Sequence, residues 1–152
     1  MLTIRPADDL DLVRALWTEY WRELGLPLDF QGFQDELRGL PGKYSPPRGL
    51  LLAAEVEQNY AGTIALRPLS ADAGEIKRLY VTPAYRGQGL GKQLLEVILE
   101  RARELGYQTI FGDTLPSMTG PLALYQAFGF RLREGPYSED PTPGAVYIEL
   151  TL

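Results

Sequence analysis

The segment Arg86-Gly87-Gln88-Gly89-Leu90-Gly91-Lys92 lies between an apolar run, Glu75 to Val81, and a long amphipathic stretch. Its glycines let the backbone turn sharply and approach a ligand closely. A helix starting there would aim unpaired N–H groups and the positive end of its dipole at that ligand, which favours phosphate or pyrophosphate. Arg86 and Lys92 add positive charge. Taken alone, the glycines fit an ordinary tight turn as well as an anion site. Spacing excludes two familiar phosphate motifs. A dinucleotide fingerprint needs its third glycine where Lys92 or Leu94 stands. A P-loop needs Ser or Thr where Gln93 follows Gly91-Lys92.

The chain has no Cys and no His. This removes disulfides, thiol nucleophiles, imidazole bases, catalytic triads and Cys- or His-based zinc sites. A general base must then be a carboxylate, Tyr, Lys or an ordered water. At 152 residues, 45% apolar and 23% charged, the composition is that of an ordinary globular domain, read as one unit over 1–152. A net charge of −5 without long runs of one sign argues against a nucleic-acid partner. No apolar stretch approaches the roughly 20 residues that span a bilayer, so no membrane partner is expected. Arg5, Asp8, Asp9 and Asp11 stand where a signal peptide would be apolar, so the expected location is cytoplasmic.

Leu2 to Arg5 reads as a first strand. Asp8 or Asp9 can cap a helix whose residues Leu12, Val13, Leu16, Trp17, Tyr20, Trp21 and Leu24 share one face and pack as core, ending at Gly25 and Pro27. Phe33, Leu37 and Leu40 mark a weaker helix, and Pro41 to Gly49 reads as a loop. Leu50 to Val56 and Tyr60 to Leu66 form a hairpin, followed by a strand over Glu75 to Val81, on which Lys77 and Arg78 read as solvated charges. The helix after the glycines buries Leu94, Leu95, Ile98, Leu99, Ala102 and Leu105 and stops at Gly106. Tyr107 to Asp113 is then a strand parallel to Glu75–Val81, because a helix separates them. A last helix runs from about Met118 to Phe128, and strands at Phe130–Glu134 and Ala145–Thr151 flank a Pro-rich loop. The fold class is α+β with a mixed sheet.

Arg86-x-x-Gly89-x-Gly91 resembles the R/Q-x-x-G-x-G/A motif of the Gcn5-related N-acetyltransferases (GNAT), preceded here by Leu79-Tyr80-Val81 and Pro83. Leu124-Tyr125-Gln126-Ala127-Phe128-Gly129-Phe130 resembles the family's second signature, L-Y-x-x-x-G-F. The two lie in the family's order and separation.

The resemblance implies a twisted mixed sheet splayed open between Glu75–Val81 and Tyr107–Asp113. It implies acetyl-CoA as co-substrate, with pantetheine on the backbone of Leu79, Tyr80 and Val81. The pyrophosphate would lie on the amides of Arg86, Gly87, Gln88, Gly89, Leu90, Gly91 and Lys92, and no metal is needed. The acetyl group would pass directly to a primary amine, with a backbone N–H near Val81 facing the developing oxyanion. Tyr125 matches the family's general acid, and Glu75 the position of its base. Tyr137 and the Pro136 to Gly144 loop read equally as a cover over the acceptor site or as a plain surface loop, and a homodimer is common among relatives. The acceptor is unassigned; overall acidity suits a cationic amine. Binding of acyl-CoA without turnover, or use of another acyl-CoA, are the competing readings. Two positions depart from the pattern. Met118 stands where many relatives have Asn, and Pro121 fits a helix only in its first turn, with Thr119 or Gly120 as the cap.

Overall fold

The computed structural model describes residues 1–27, 32–115, 119–138 and 144–152. Its strands are β1 (Leu2–Pro6), β2 (Leu50–Val56), β3 (Asn59–Pro68), β4 (Ala73–Val81), β5 (Thr109–Thr114), β6 (Arg131–Arg133) and β7 (Val146–Thr151). The helices are α1 (Leu10–Leu24), α2 (Phe33–Arg38), α3 (Leu90–Glu104) and α4 (Thr119–Ala127). The strands form one seven-stranded sheet in the order β1-β2-β3-β4-β5-β7-β6. Only β4 and β5 are parallel; the other neighbours are antiparallel. No described helix is long and apolar enough to cross a membrane.

Strand alternation sends side chains to two apolar layers. Leu50, Leu52 and Ala54 of β2 pack with Leu94, Leu95 and Ile98 of α3. Leu51 and Ala53 pack on the other face with Val13, Trp17 and Trp21 of α1. With both faces covered, the central strands read as continuous apolar runs rather than alternating ones.

Two irregularities shape the site. The β4–β5 pairing covers only Ala73–Glu75 against Thr109–Phe111, whereas β5 stays paired to β7 as far as Thr114. Beyond Glu75 the sheet therefore opens as a wedge. The second irregularity is a bulge: the β3–β4 register shifts between Thr63 and Ala65, and Arg78 takes a left-handed φ of 60°. Buried Thr63 secures it, accepting from Trp17 Nε1 (2.8 Å) and donating to the Arg78 carbonyl (2.9 Å). Because of the extra residue, Ile76 and Leu79 both join the α3 layer while Tyr80 joins the α1 layer.

Several expectations need correction. The stretch from Pro41 to Gly49 contains a 3-10 turn, Gly42–Tyr44, which buries Tyr44 edge-on against Trp17 at 5.8 Å. A Cβ on Gly49 would lie 2.5 Å from the Tyr44 backbone, so that close approach requires glycine. Strand β6 is three residues rather than five. Lys77 and Arg78 are not solvated, with side chains only 13% and 8% exposed. Asp9, rather than Asp8, caps α1 by accepting from the Leu12 N–H, and Gly25 closes that helix in the left-handed conformation. Helix α4 spans Thr119–Ala127, so Pro121 falls in its first turn. Met118 and Ser117 lie outside the described residues.

Candidate active site

A cleft of about 660 Å³ runs from the C-terminal end of β4 to the start of α3, with Pro121 and Leu124 of α4 on its far wall. Eight of the ten residues expected to hold a cofactor line it: Leu79, Tyr80 and Val81 along β4, then Arg86, Gly87, Gly89, Leu90 and Gly91. Gln88 and Lys92 are exposed outside that lining. Gly87 and Gly89 have φ of 78° and 80°, a conformation costly for any side chain. Gly91 is different. A Cβ there meets only Leu124 Cδ2 at 3.4 Å and Val81 Cγ2 at 3.9 Å, which explains why the motif allows Ala at that place. Gly89 is the N-cap of α3 and brings no capping side chain, so the first N–H groups of the helix face the cleft without one.

The Arg86 side chain folds back onto α1. Its guanidinium bonds Glu23 at 2.6 and 2.7 Å, and its Nε donates to the Val81 carbonyl at 2.9 Å. Glu23 also accepts from the Tyr80 hydroxyl at 2.8 Å, and Tyr80 stacks on Tyr20 at 4.8 Å. The Arg86 bond holds the Glu23 carboxyl below its ordinary range.

A second, smaller cavity of about 50 Å³ occupies the wedge where β4 leaves β5. It shares Tyr20, Leu24 and Leu79 with the cleft and is closed by Lys77, Asp113 and Tyr125. Cleft and wedge are therefore adjacent, walled in common by Tyr20, Leu24 and Leu79. Tyr125 is 6% exposed and packs edge-on against Phe130 at 5.4 Å. Burial, reinforced by Tyr20 and Asp113, pushes its hydroxyl far above the usual phenol range, so it keeps its proton.

Glu75 lies at the root of the wedge on the α1 face, 2% exposed. Arg67 Nε donates to it at 2.6 Å, Tyr137 donates to its other oxygen at 2.5 Å, and Lys77 Nζ stands 4.0 Å away. Burial opposes its charge, but Lys77, Tyr137 and Arg67 together outweigh burial and hold the carboxyl below its ordinary range. Tyr137 stacks on Phe111 at 4.9 Å, which anchors the start of the Pro136 to Gly144 loop; residues 139–143 lie outside the described residues. Next to this set, Glu36 takes two bonds from Arg78 (2.8 and 3.2 Å), one from Tyr44 (3.1 Å) and an ion pair from Lys43 (3.1 Å). The Arg78 guanidinium lies 4.7 Å over the Trp21 ring, which itself stacks on Phe33.

Sequence reasoning missed Glu36, Lys43, Arg67 and Asp113. Arg67 had a findable signal, since a hairpin register pairs it with Glu75. Glu36 had none, being 42 positions from Arg78 on a helix of six residues. Among the described residues, no group of three or more Asp or Glu is arranged to hold a metal ion.

The geometry agrees with known proteins. The sequence profile of the acetyltransferase (GNAT) family matches residues 10–130. An uncharacterised N-acetyltransferase of Schizosaccharomyces pombe is 38% identical over 151 residues, 98% of this chain and 92% of that protein. A GNAT acetyltransferase structure from Staphylococcus aureus superposes with a TM-score of 0.88 at 20% identity, covering 99% of both chains. A GNAT acetyltransferase from Elizabethkingia anophelis with acetyl-CoA bound superposes at 0.67 with 23% identity, covering 99% of this chain and 98% of that one. With its glycine turn, splayed sheet and second signature all in place, this chain belongs to the GNAT family of acetyltransferases and is an acyltransferase.

Proposed function

We propose that the protein moves an acetyl group from acetyl-CoA directly to a primary amine of a small molecule, in the cytoplasm. The observation that carries this reading is the adjacency of the glycine-turn cleft and the wedge that Tyr125 closes. The uncapped start of α3 suits a pyrophosphate, and the left-handed glycines leave its approach free of side chains. The small wedge suits a short acyl group.

When bound, acetyl-CoA supplies a thioester whose C–S bond breaks as the amine's N–C bond forms, so one amine proton must go to a base and one proton to the leaving sulfur. Tyr125, buried and protonated, would give the second of these. Glu75 is ionised, and so is competent to accept the first through water, although a carboxyl held low is a weak base. Asp113 is the second candidate for that role, because it lines the wedge where Glu75 does not.

Thiol release from acetyl-CoA across a panel of primary amines tests the reading. Tyr125→Phe should lower kcat at least tenfold while leaving the acetyl-CoA Kd within about twofold; an unchanged kcat removes Tyr125 from the acid role. Comparing Glu75→Gln with Asp113→Asn assigns the base to whichever costs more in kcat. The competing reading, a binder of acyl-CoA, predicts tight acetyl-CoA binding with no thiol release from any amine.

A further inference from the structure

The face of the sheet that carries Glu75 has a charge balance opposite to that of the whole chain. The protein carries a net charge of −5. Around the root of the wedge, however, Lys43, Arg67, Lys77 and Arg78 gather about two carboxylates, Glu36 and Glu75. Each carboxylate is already engaged by two of these cations and by one tyrosine hydroxyl, from Tyr44 or Tyr137. With Asp113, which lines the wedge beside Lys77, counted as a third carboxylate, the cluster keeps an excess of one positive charge among the described residues. On the same face, the Arg133 guanidinium lies 5.4 Å over the Phe111 ring, with its Nε buried and without a hydrogen-bond partner. Among the described residues its one ion pair, to Glu149, is a loose 3.7 Å.

Gathering like charges in partly buried positions is costly unless an anion completes the set. The crowding leaves a mark on Lys43, whose ammonium pKa is lowered by burial and by the nearby charges of Lys77 and Arg67, against the pull of Glu36. The four cations are not equal. Arg78 is 8% exposed and committed to Glu36, and so belongs to the scaffold. Lys77 lines the wedge, while Arg67 and Lys43 are 25% and 41% exposed and stand close enough for Arg67 and Lys77 to act on the Lys43 ammonium.

We infer that the acceptor is an amine carrying a carboxylate on the same small molecule, with that carboxylate seated against Lys77, Arg67 and Lys43 and the amine directed into the wedge. This deepens the acetyl-transfer reading and rests on it. The arrangement has a chemical benefit beyond binding. Cations around a bound ammonium group lower its pKa, so more of it is present as the free amine that attacks the thioester. The same field repels polyamines and other polycations, the acceptors that overall acidity would suggest.

The test uses matched acceptors with purified full-length protein: amino acids, their C-terminal amides and their decarboxylated amines, each assayed for thiol release with acetyl-CoA. The carboxylate form should exceed its amide and its decarboxylated amine at least tenfold in kcat/KM for the best series. Lys43→Met leaves every Glu75 contact in place, and should raise KM for the acid at least threefold with little change for the amide. Arg67→Gln should raise it tenfold or more, and Arg67→Lys should restore part of the loss. Neither set should change the acetyl-CoA Kd by more than about twofold, which separates loss of the anion seat from unfolding or loss of the cofactor cleft. Amides or amines used as well as acids, or Lys43 and Arg67 variants that treat acid and amide alike, would overturn the inference while leaving acetyl transfer standing. Binding of acetyl-CoA with no thiol release from any carboxylate-bearing amine would also overturn it. Failure to bind acetyl-CoA at all would bring down the functional reading and this inference together.

Discussion

Replacing Thr63 by Val probes the bulge that aims β4. The side chains are nearly isosteric, so the change removes the hydroxyl and keeps the volume. Thr63 is fully buried and joins two groups, the Trp17 indole N–H at 2.8 Å and the Arg78 carbonyl at 2.9 Å. Leaving each buried and unpaired costs about 1–3 kcal/mol. Burying one more methyl returns about 0.8 kcal/mol. The balance is a loss of about 3 kcal/mol. In urea, with a slope of about 2 kcal/mol/M for a chain of this size, the midpoint should fall by about 1.5 M. Far-ultraviolet circular dichroism is the suitable probe, because Trp17 itself belongs to the network. Thr63→Ser keeps the hydroxyl and should cost only about 1 kcal/mol, from the lost methyl. A double-mutant cycle with Trp17→Phe should show the two changes to be less than additive. A Thr63→Val midpoint within about 0.3 M of the wild type would refute the reasoning, since the bulge would then stand without the bonds assigned to it.

Three further outcomes follow from the same contacts. Glu36 has its carboxyl pushed up by burial but held down by Arg78 and Lys43, from 4.5 to about 2. Its contribution is therefore present above pH about 4.5 and is lost as the pH falls toward 2; the shift corresponds to about 3 kcal/mol. Glu36→Gln should flatten that acid limb in urea titrations while lowering stability at neutral pH, because Arg78 stays buried without its partner; an unchanged acid limb would count against the assignment. Gly89→Ala, at φ 80°, should cost about 1–2 kcal/mol in stability and weaken acetyl-CoA binding in calorimetry. Gly91→Ala should do neither, and equal effects at both would contradict the account of the turn. Glu23→Gln should tighten acetyl-CoA binding by up to about fivefold, because an exposed ion pair worth about 1 kcal/mol or less no longer holds Arg86; weaker binding would show that Glu23 positions Arg86 rather than competing for it.

The parts of the fold written in local chemistry were legible in the sequence. The Arg86–Lys92 turn, the apolar faces of α1 and α3, and the parallel crossover from β4 to β5 all follow from short-range spacing, and the structure has each of them. What could not be read depends on contacts between distant segments. The bulge at Arg78 reverses the alternation of β4, so the buried state of Lys77 and Arg78 is invisible to a period-two reading. Tyr44 looked like part of a Pro- and Gly-rich surface loop, yet its ring completes the layer around Trp17. The proposed cofactor side was readable because backbone and glycine build it. The proposed acceptor side was not, because it is assembled from α2, β3, β4 and the segment that carries Tyr137, and no local pattern joins them.

The most direct test of the central claim is isothermal titration of acetyl-CoA into the protein, set beside the same titration with dephosphorylated pantetheine. The account predicts micromolar binding of acetyl-CoA and much weaker binding of pantetheine, because the start of α3 would hold the pyrophosphate. Absence of binding by acetyl-CoA or any other acyl-CoA would contradict it, and would leave Arg86 to Lys92 as a turn and nothing more.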